Sequence, residues 1–215
     1  MRFRVLSRPR LWLVPFAALA LTWACSRHQE GARVACGQQT LPPLVTSDAI
    51  GTLDLHQAVA ELRRACPSAR DTVFLGTESR NPAIVVPFGS VTAIGMQPGY
   101  AYTDSLVWSV PADLWHVSGQ LANLPLGLTL GSSWPQFRTR YGRGIAHHED
   151  RSVVVVFCRY PRLWFVLAGY PDFEGGFTDD LSVLPDTVRV ESIWVQAGSF
   201  VKTRWGAGTS HAASC

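Results

Sequence analysis

Lysine is almost missing from this 215-residue chain: of 19 basic residues, only Lys202 is a lysine. A phosphate loop built on Gly-Lys-Ser/Thr is therefore absent, and little room is left for Schiff-base chemistry. The patterns Cys-x-x-Cys, Gly-x-Ser-x-Gly and His-Glu-x-x-His do not occur either. Their absence argues against a zinc ribbon, a thioredoxin-type redox pair, the common serine-hydrolase elbow and a helical zinc-protease site. Charged residues make up only 16% of the chain, with glycine and proline at ordinary levels, a balance that fits neither wholesale disorder, a coiled coil nor a collagen-like repeat.

The formal net charge of +3 belongs to the first few residues. Arg2, Arg4, Arg8 and Arg10 precede any acid, and beyond residue 24 there are 15 basic against 16 acidic side chains. The later arginines are scattered, so no nucleic-acid partner is expected. Arg2 to Arg10 form a positive region, Leu11 to Trp23 an apolar one, and Thr22-Trp23-Ala24 places small residues where a signal peptidase reads them. The apolar run is shorter than the roughly 20 residues of a spanning helix. Residues 1–24 therefore read as a signal peptide. Cys25 directly follows Ala24, as in a bacterial lipoprotein signal, where cleavage leaves an N-terminal cysteine carrying lipid. Thr22 and Trp23 depart from the usual leucine and small residue before that cysteine, and ordinary secretion with cleavage near Ala20 or Ala24 is the other reading. Either way the chain is expected outside the cytoplasm, in the bacterial cell envelope or periplasm.

Cysteine arithmetic points to the same compartment. Lipidation of Cys25 leaves Cys36, Cys66, Cys158 and Cys215, an even set of disulfide candidates in an oxidising space. From position alone Cys66–Cys158 with Cys36–Cys215 is the preferred pairing. The alternative keeps Cys66 and Cys158 as buried thiols of a core.

Residues 25–49 are polar and turn-rich and read as a lipidated N-terminus and tether; 203–215 read as a frayed tail. Between them an internal echo recurs at an offset of 75 residues. Leu55, Val59, Leu62 and Cys66 form the stripe of an amphipathic helix, and Leu130, Trp134, Phe137 and Tyr141 repeat its spacing, with Arg63 matching Arg138. Helices are expected within 53–66 and 128–141. Ser133 with Gln136 forms a capping box, and Pro67 and Gly142 act as breakers. Strand runs follow each helix: Thr72–Leu75, Ala83–Val86, Val91–Ile94 and Leu106–Val110, then Val153–Phe157, Leu163–Leu167 and Val188–Val195. The expected fold is α+β, two tandem β-α-β-β-β repeats over 50–120 and 121–202, with short helices packed on antiparallel sheet.

The segment Leu130-Gly131-Ser132-Ser133-Trp134-Pro135-Gln136-Phe137-Arg138-Thr139-Arg140-Tyr141-Gly142 resembles the glycine, short helix, glycine signature of small envelope lipoproteins of the SmpA/OmlA type and of β-lactamase-inhibitor-like tandem repeats. The chain departs from that pattern at His56, where a glycine would stand, and at Arg143, where a proline is common. The resemblance implies a non-catalytic binding or assembly role, with an envelope protein as partner, and carries over no catalytic residue.

Two clusters could hold a metal. His147-His148-Glu149-Asp150 concentrates ligand types, although neighbours on a strand point to opposite faces; a turn before the Val153 strand is its plainer reading. The acidic loop Asp172 to Asp180, with Glu174, has oxygens for calcium without the spacing of an EF-hand. His147, His148, Asp172 and Glu174 are the metal candidates, and no cofactor is expected. Among aromatics, Trp108, Trp115, Trp164, Phe165 and Trp194 read as core or cross-strand pairs, whereas the loop residues Tyr100, Tyr102, Tyr170, Phe173 and Phe177 are candidate partner anchors. His56 and His116 read as structural. An extracytoplasmic hydrolase using the His147/His148 region, and a small-ligand carrier, are the competing functional classes.

Overall fold

In the computed structural model the described residues are 41–75, 80–98, 105–149, 152–168 and 176–197. In chain order they form β1 (Ala49–Ile50), β2 (Leu53–Asp54), α1 (Val59–Ala65), β3 (Arg70–Leu75), β4 (Arg80–Phe88), β5 (Val91–Met96) and β6 (Leu114–Ser118). There follow β7 (Asn123–Leu124), β8 (Leu128–Thr129), α2 (Trp134–Tyr141), β9 (Gly144–Glu149), β10 (Ser152–Phe157), β11 (Leu163–Ala168), β12 (Phe177–Thr178) and β13 (Arg189–Gln196). Among the described residues, nine strands make one antiparallel sheet in the order β12-β9-β10-β11-β13-β6-β5-β4-β3. The fold is α+β, dominated by sheet.

Both helices lie on one face of that sheet. All eight stripe residues, Leu55, Val59, Leu62, Cys66, Leu130, Trp134, Phe137 and Tyr141, are buried in a single core with the inward residues of β4, β5, β6, β10, β11 and β13. The helices are shorter than expected: α1 starts at Val59 and α2 at Trp134, while Leu53–Asp54 and Leu128–Thr129 are two-residue strands. α2 opens where Gln136 Oε1 accepts from the Ser133 N–H at 2.9 Å and its hydroxyl at 3.1 Å, and it closes on Gly142 at φ 76°. Its aromatic stripe packs edge-on against the sheet: Phe137 on Phe165 at 5.6 Å, and Tyr141 on Phe157 at 5.1 Å and on Tyr160 at 4.8 Å. Each such pair contributes about 0.5–1.5 kcal/mol beyond the area it buries.

Several expectations are corrected here. Leu106–Val110 is not a strand; the fourth strand of the first half is β6, eight residues beyond the expected start. The carbonyls that a ladder would use are taken already. Trp108 and Val110 accept from the opening N–H groups of α1, Ala60 and Val59, both at 3.0 Å. Buried Gln97 donates through Nε2 to the carbonyls of Val107, Val110 and Pro111, and its Oε1 accepts from the Val107 N–H at 2.8 Å. Residues 41–49 do not belong to a tether: Val45 is fully buried and its N–H donates to the Asn123 carbonyl at 2.8 Å, while Asn123 donates to Pro42 and Pro43. His147–Glu149 is strand, β9, where a turn was the plainer reading. Finally, Cys66 sits at the end of α1, just before β3, and Cys158 just past β10. Those strands stand six places apart, roughly 29 Å at about 4.8 Å per strand. A disulfide needs Cα atoms within about 7 Å, so Cys66–Cys158 is not a pair this topology brings together. Cys25, Cys36 and Cys215 lie outside the described residues.

Gly95 is required by packing. A Cβ there would stand 2.7 Å from the Trp115 indole, which lies fully buried across β5. Gly95→Ala is expected to lower unfolding free energy by about 1–3 kcal/mol, as overpacked cores do, read as a lower urea midpoint at unchanged slope. Gln97→Leu removes the acceptor of the Val107 N–H and the side-chain donor to the Val107, Val110 and Pro111 carbonyls; a loss of about 1–3 kcal/mol is expected in the same measurement.

Candidate functional site

Alternation along the strands gives the sheet a second face, turned away from both helices, and that face is also apolar. Val153, Val155 and Phe157 of β10 enter the core, whereas Val154 and Val156 join Trp164, Val166, Leu114 and Trp194 in a separate cluster. Register aligns these side chains into a row across seven strands. Ile145 pairs with Val156, Val156 with Trp164, Trp164 with Trp194, Trp194 with His116, His116 with Ile94, and Ile94 with Val85. The next row turns polar toward the middle of the sheet, from Val154 and Val166 to Ser192, Ser118 and Thr92. Trp164 is largely buried, and its indole N–H donates to the Pro161 carbonyl. Trp194, His116, Ile94, Val85, Val156 and Ile145 are half-buried.

His116 lies at the middle of the row. Its ring centroid is 4.8 Å from Trp194 and 6.2 Å from Phe74 of β3, and Phe74 meets Trp194 edge-on at 5.6 Å. Burial lowers the imidazole pKa below its usual value, so at neutral pH this histidine behaves as an uncharged aromatic. Trp115 and Phe165 are core residues, as their strand positions implied, and Trp164–Trp194 is a cross-strand pair. Trp108 instead lies in the loop before β6, exposed, beneath the Arg63 guanidinium at 5.8 Å.

Of the metal candidates, His147 and His148 are described, and Asp172 and Glu174 lie outside the described residues. His147 is 5% exposed on the outward side of β9, stacked at 5.4 Å on Phe177 of β12. His148 follows it on the same strand and therefore projects to the other face. The two do not converge, and among the described residues no three His, Cys, Asp or Glu side chains gather at a metal-sized site. Of the partner anchors, Tyr100, Tyr102, Tyr170 and Phe173 lie outside the described residues. Phe177 is described and 45% exposed at the edge strand. His56 bonds Asp48 through Nε2 at 3.1 Å on the surface, and Ser47 and His56 together hold that carboxyl below its usual pKa.

The row itself was missed from the sequence because Trp164 and Trp194 were read as ordinary cross-strand pairs. A signal was present. Val153-Val154-Val155-Val156 and Leu163-Trp164-Phe165-Val166-Leu167 are apolar at both parities, the pattern of strands with two covered faces. The arrangement is a row of half-buried and largely buried aromatic and aliphatic side chains; no nucleophile with its base is assembled on it among the described residues.

Burial, with the charge of His148 in second place, lowers the His147 pKa from its usual 6.5 to about 4. In the unfolded chain the ring takes a proton below about pH 6.5 that the folded chain refuses until about pH 4. Stability is therefore complete above pH 6.5 and is lost as pH falls toward 4, by an amount on the order of 3 kcal/mol from this residue. His147→Phe, which keeps the stack on Phe177, should flatten the pH dependence of the urea midpoint between pH 6.5 and 4; an unchanged slope would remove His147 as its source.

No known protein family matches this chain, and no curated protein does. Among solved structures it is similar to the crystal structure of the uncharacterized protein YfeY from Escherichia coli, at 10% sequence identity and a TM-score of 0.44, over 74% of this chain and 99% of that one.

Proposed function

We propose that this chain is an exported bacterial envelope protein, anchored by lipid at Cys25, that serves as a non-catalytic binding or assembly module, with the outward sheet face as its protein-contact surface. The observation that carries the reading is the row from Ile145 to Val85: a continuous, half-buried apolar stripe in register, on the sheet face turned away from the helices. Aromatic anchors of this kind dominate protein–protein contacts, and contiguous apolar surface on a water-soluble domain marks an interaction site.

The tandem-repeat architecture is part of the same proposal. α1 is followed by β3-β4-β5-β6, α2 by β9-β10-β11-β13, and the eight strands beyond β12 read 9-10-11-13 and then 6-5-4-3. That order is what two copies of a helix and four strands give when their last strands pair antiparallel. The ion pairs Arg63–Asp71 and Arg138–Asp186 start from arginines at the 75-residue offset. In an oxidising envelope Cys66 and Cys158, bonded residues rather than free thiols, pair with the remaining candidates Cys36 and Cys215, and Cys25 carries the lipid.

Intact mass of the membrane-extracted protein tests the anchor: a diacyl or triacyl mass on a chain beginning at Cys25 is expected, with a shift on reduction for two disulfides. An unacylated chain starting elsewhere removes the anchor. A photo-crosslinking residue at Val166, on the outward face, is expected to give a discrete protein adduct in intact cells, while the same residue at Glu61, exposed on α1, gives none. Equal labelling at both positions would take the contact away from the sheet face.

A further inference from the structure

A second surface lies where the chain enters the domain. Residues 42–45 run beside β7: Leu44 bridges Asn123 in parallel, the Asn123 N–H donates to Pro43 at 2.9 Å, and its side-chain amide donates to Pro42 at 2.8 Å. Alternation there turns Val45, Ala122 and Leu124 into the core and leaves Leu44 and Leu121 outside, on the same side as Asn123. Four of the eight large apolar residues most exposed among the described residues fall in these two short stretches: Leu41 at 77%, Leu121 at 56%, Leu44 at 47% and Leu126 at 40%.

Leu126 adds an observation of another kind. It has φ 61° and ψ 24°, the single described non-glycine residue with a positive φ, a conformation that a Cβ disfavours. The turn Pro125–Gly127 is held there from α2: Arg140 donates to the Leu126 carbonyl, and the Tyr141 hydroxyl donates to the Pro125 carbonyl at 3.1 Å. The strained turn displays a leucine to solvent and sets the Arg140 guanidinium beside it. Exposed Arg143 follows at the end of the same helix. Leucines beside arginines match the boundary between anionic headgroups and acyl chains.

We propose that Leu41, Leu44, Leu121 and Leu126, bordered by Arg140, form a docking patch that lays this end of the domain on an anionic phospholipid bilayer. The occupant follows from the chain itself. The segment leading into Leu41 is the one that begins at Cys25, so an acylated Cys25 delivers this end of the domain, in preference to any other, to the membrane. The proposal rests on the anchor reading for that delivery alone. A diacyl or triacyl anchor holds the chain at the membrane by itself; the apolar and basic contact decides which end of the domain lies against the bilayer.

The test uses the full lipoprotein, purified from membranes and placed in phosphatidylethanolamine–phosphatidylglycerol vesicles carrying a phospholipid with a photoactivatable acyl chain. Flotation reports the anchor, and mass mapping of lipid adducts reports the patch. Adducts are expected in peptides spanning 41–45 and 119–127, reduced about fivefold or more in Leu121→Asp/Leu126→Asp, a variant that still floats, and weakened when phosphatidylglycerol is omitted. A floating chain with adducts on the Cys25 peptide alone overturns the patch and leaves the anchor standing. Chain-to-chain cross-links through the patch in place of lipid adducts assign it to a second copy and overturn the lipid assignment. A chain that does not float overturns both.

Discussion

The pairing of β13 with β6 is the contact on which the rest of the molecule depends. Ser192–Gln196 and Leu114–Ser118 lie antiparallel along five residue pairs, and that ladder turns two four-stranded groups into one sheet with one core. Its sequence separation is long, so its loop-closure cost is high, and side chains on both faces offset it. Ile193 and Val195 meet Val117 and Trp115 inside, while Trp194 meets His116 outside. Either four-stranded group alone would have little core of its own. Joined, the two bury both helix stripes against a common sheet.

The inner face is filled by size matching, and the fit is local. The Trp115 indole occupies space that any side chain at position 95 would claim, and Phe137, Tyr141, Phe157 and Phe165 close around one another under α2. α1 is shorter, carries no aromatic stripe and is preceded by Ala58, which offers no side-chain cap. Its opening N–H groups are satisfied from the 105–113 segment, which Gln97 holds in turn. One buried amide thus couples the end of β5, the loop before β6 and the start of α1. In α2 the capping box does the equivalent work within the helix's own sequence, which is why α2 is the better defined of the two from sequence.

That contrast explains what could be read in advance. The helix stripes, the capping box, the strands with β-branched runs and the α+β class were legible because each is written in local periodicity. The loop at 106–110 was not, since its apolar residues look like a strand until the distant carbonyl partners, Gln97 and α1, are known. β9 was hidden by polar residues at His147 and His148, although its partner β10 is one of the most apolar stretches in the chain. Residues 41–49 looked like linker because Pro42, Pro43 and Ser47 dominate the composition, while the anchoring contact comes from Asn123, some eighty positions away. The outward row was half legible: the runs apolar at both parities announce two covered faces, but only register shows that they line up. The proposed leucine patch was invisible, because Leu41, Leu44, Leu121 and Leu126 share no period and the segments that carry them are joined by the bridge of Leu44 to Asn123.

The two surfaces also differ in how charge is treated. On the outward sheet face the histidines of these two rows, His116 and His147, are buried enough that their pKa falls and both are neutral near pH 7, and the other polar residues there, Ser192, Ser118 and Thr92, carry no charge. A neutral imidazole stacks like any aromatic ring and keeps the row apolar, whereas protonation would place a cation in the middle of it. At the chain entry the opposite arrangement holds, with the permanently charged Arg140 beside exposed Leu126. A face held uncharged suits a protein surface that excludes water on contact; a face of leucine edged with guanidinium suits a layer of anionic headgroups over hydrocarbon. On the reading proposed above, placing these two chemistries on different parts of one small domain would let a membrane-anchored module present its sheet face to a partner.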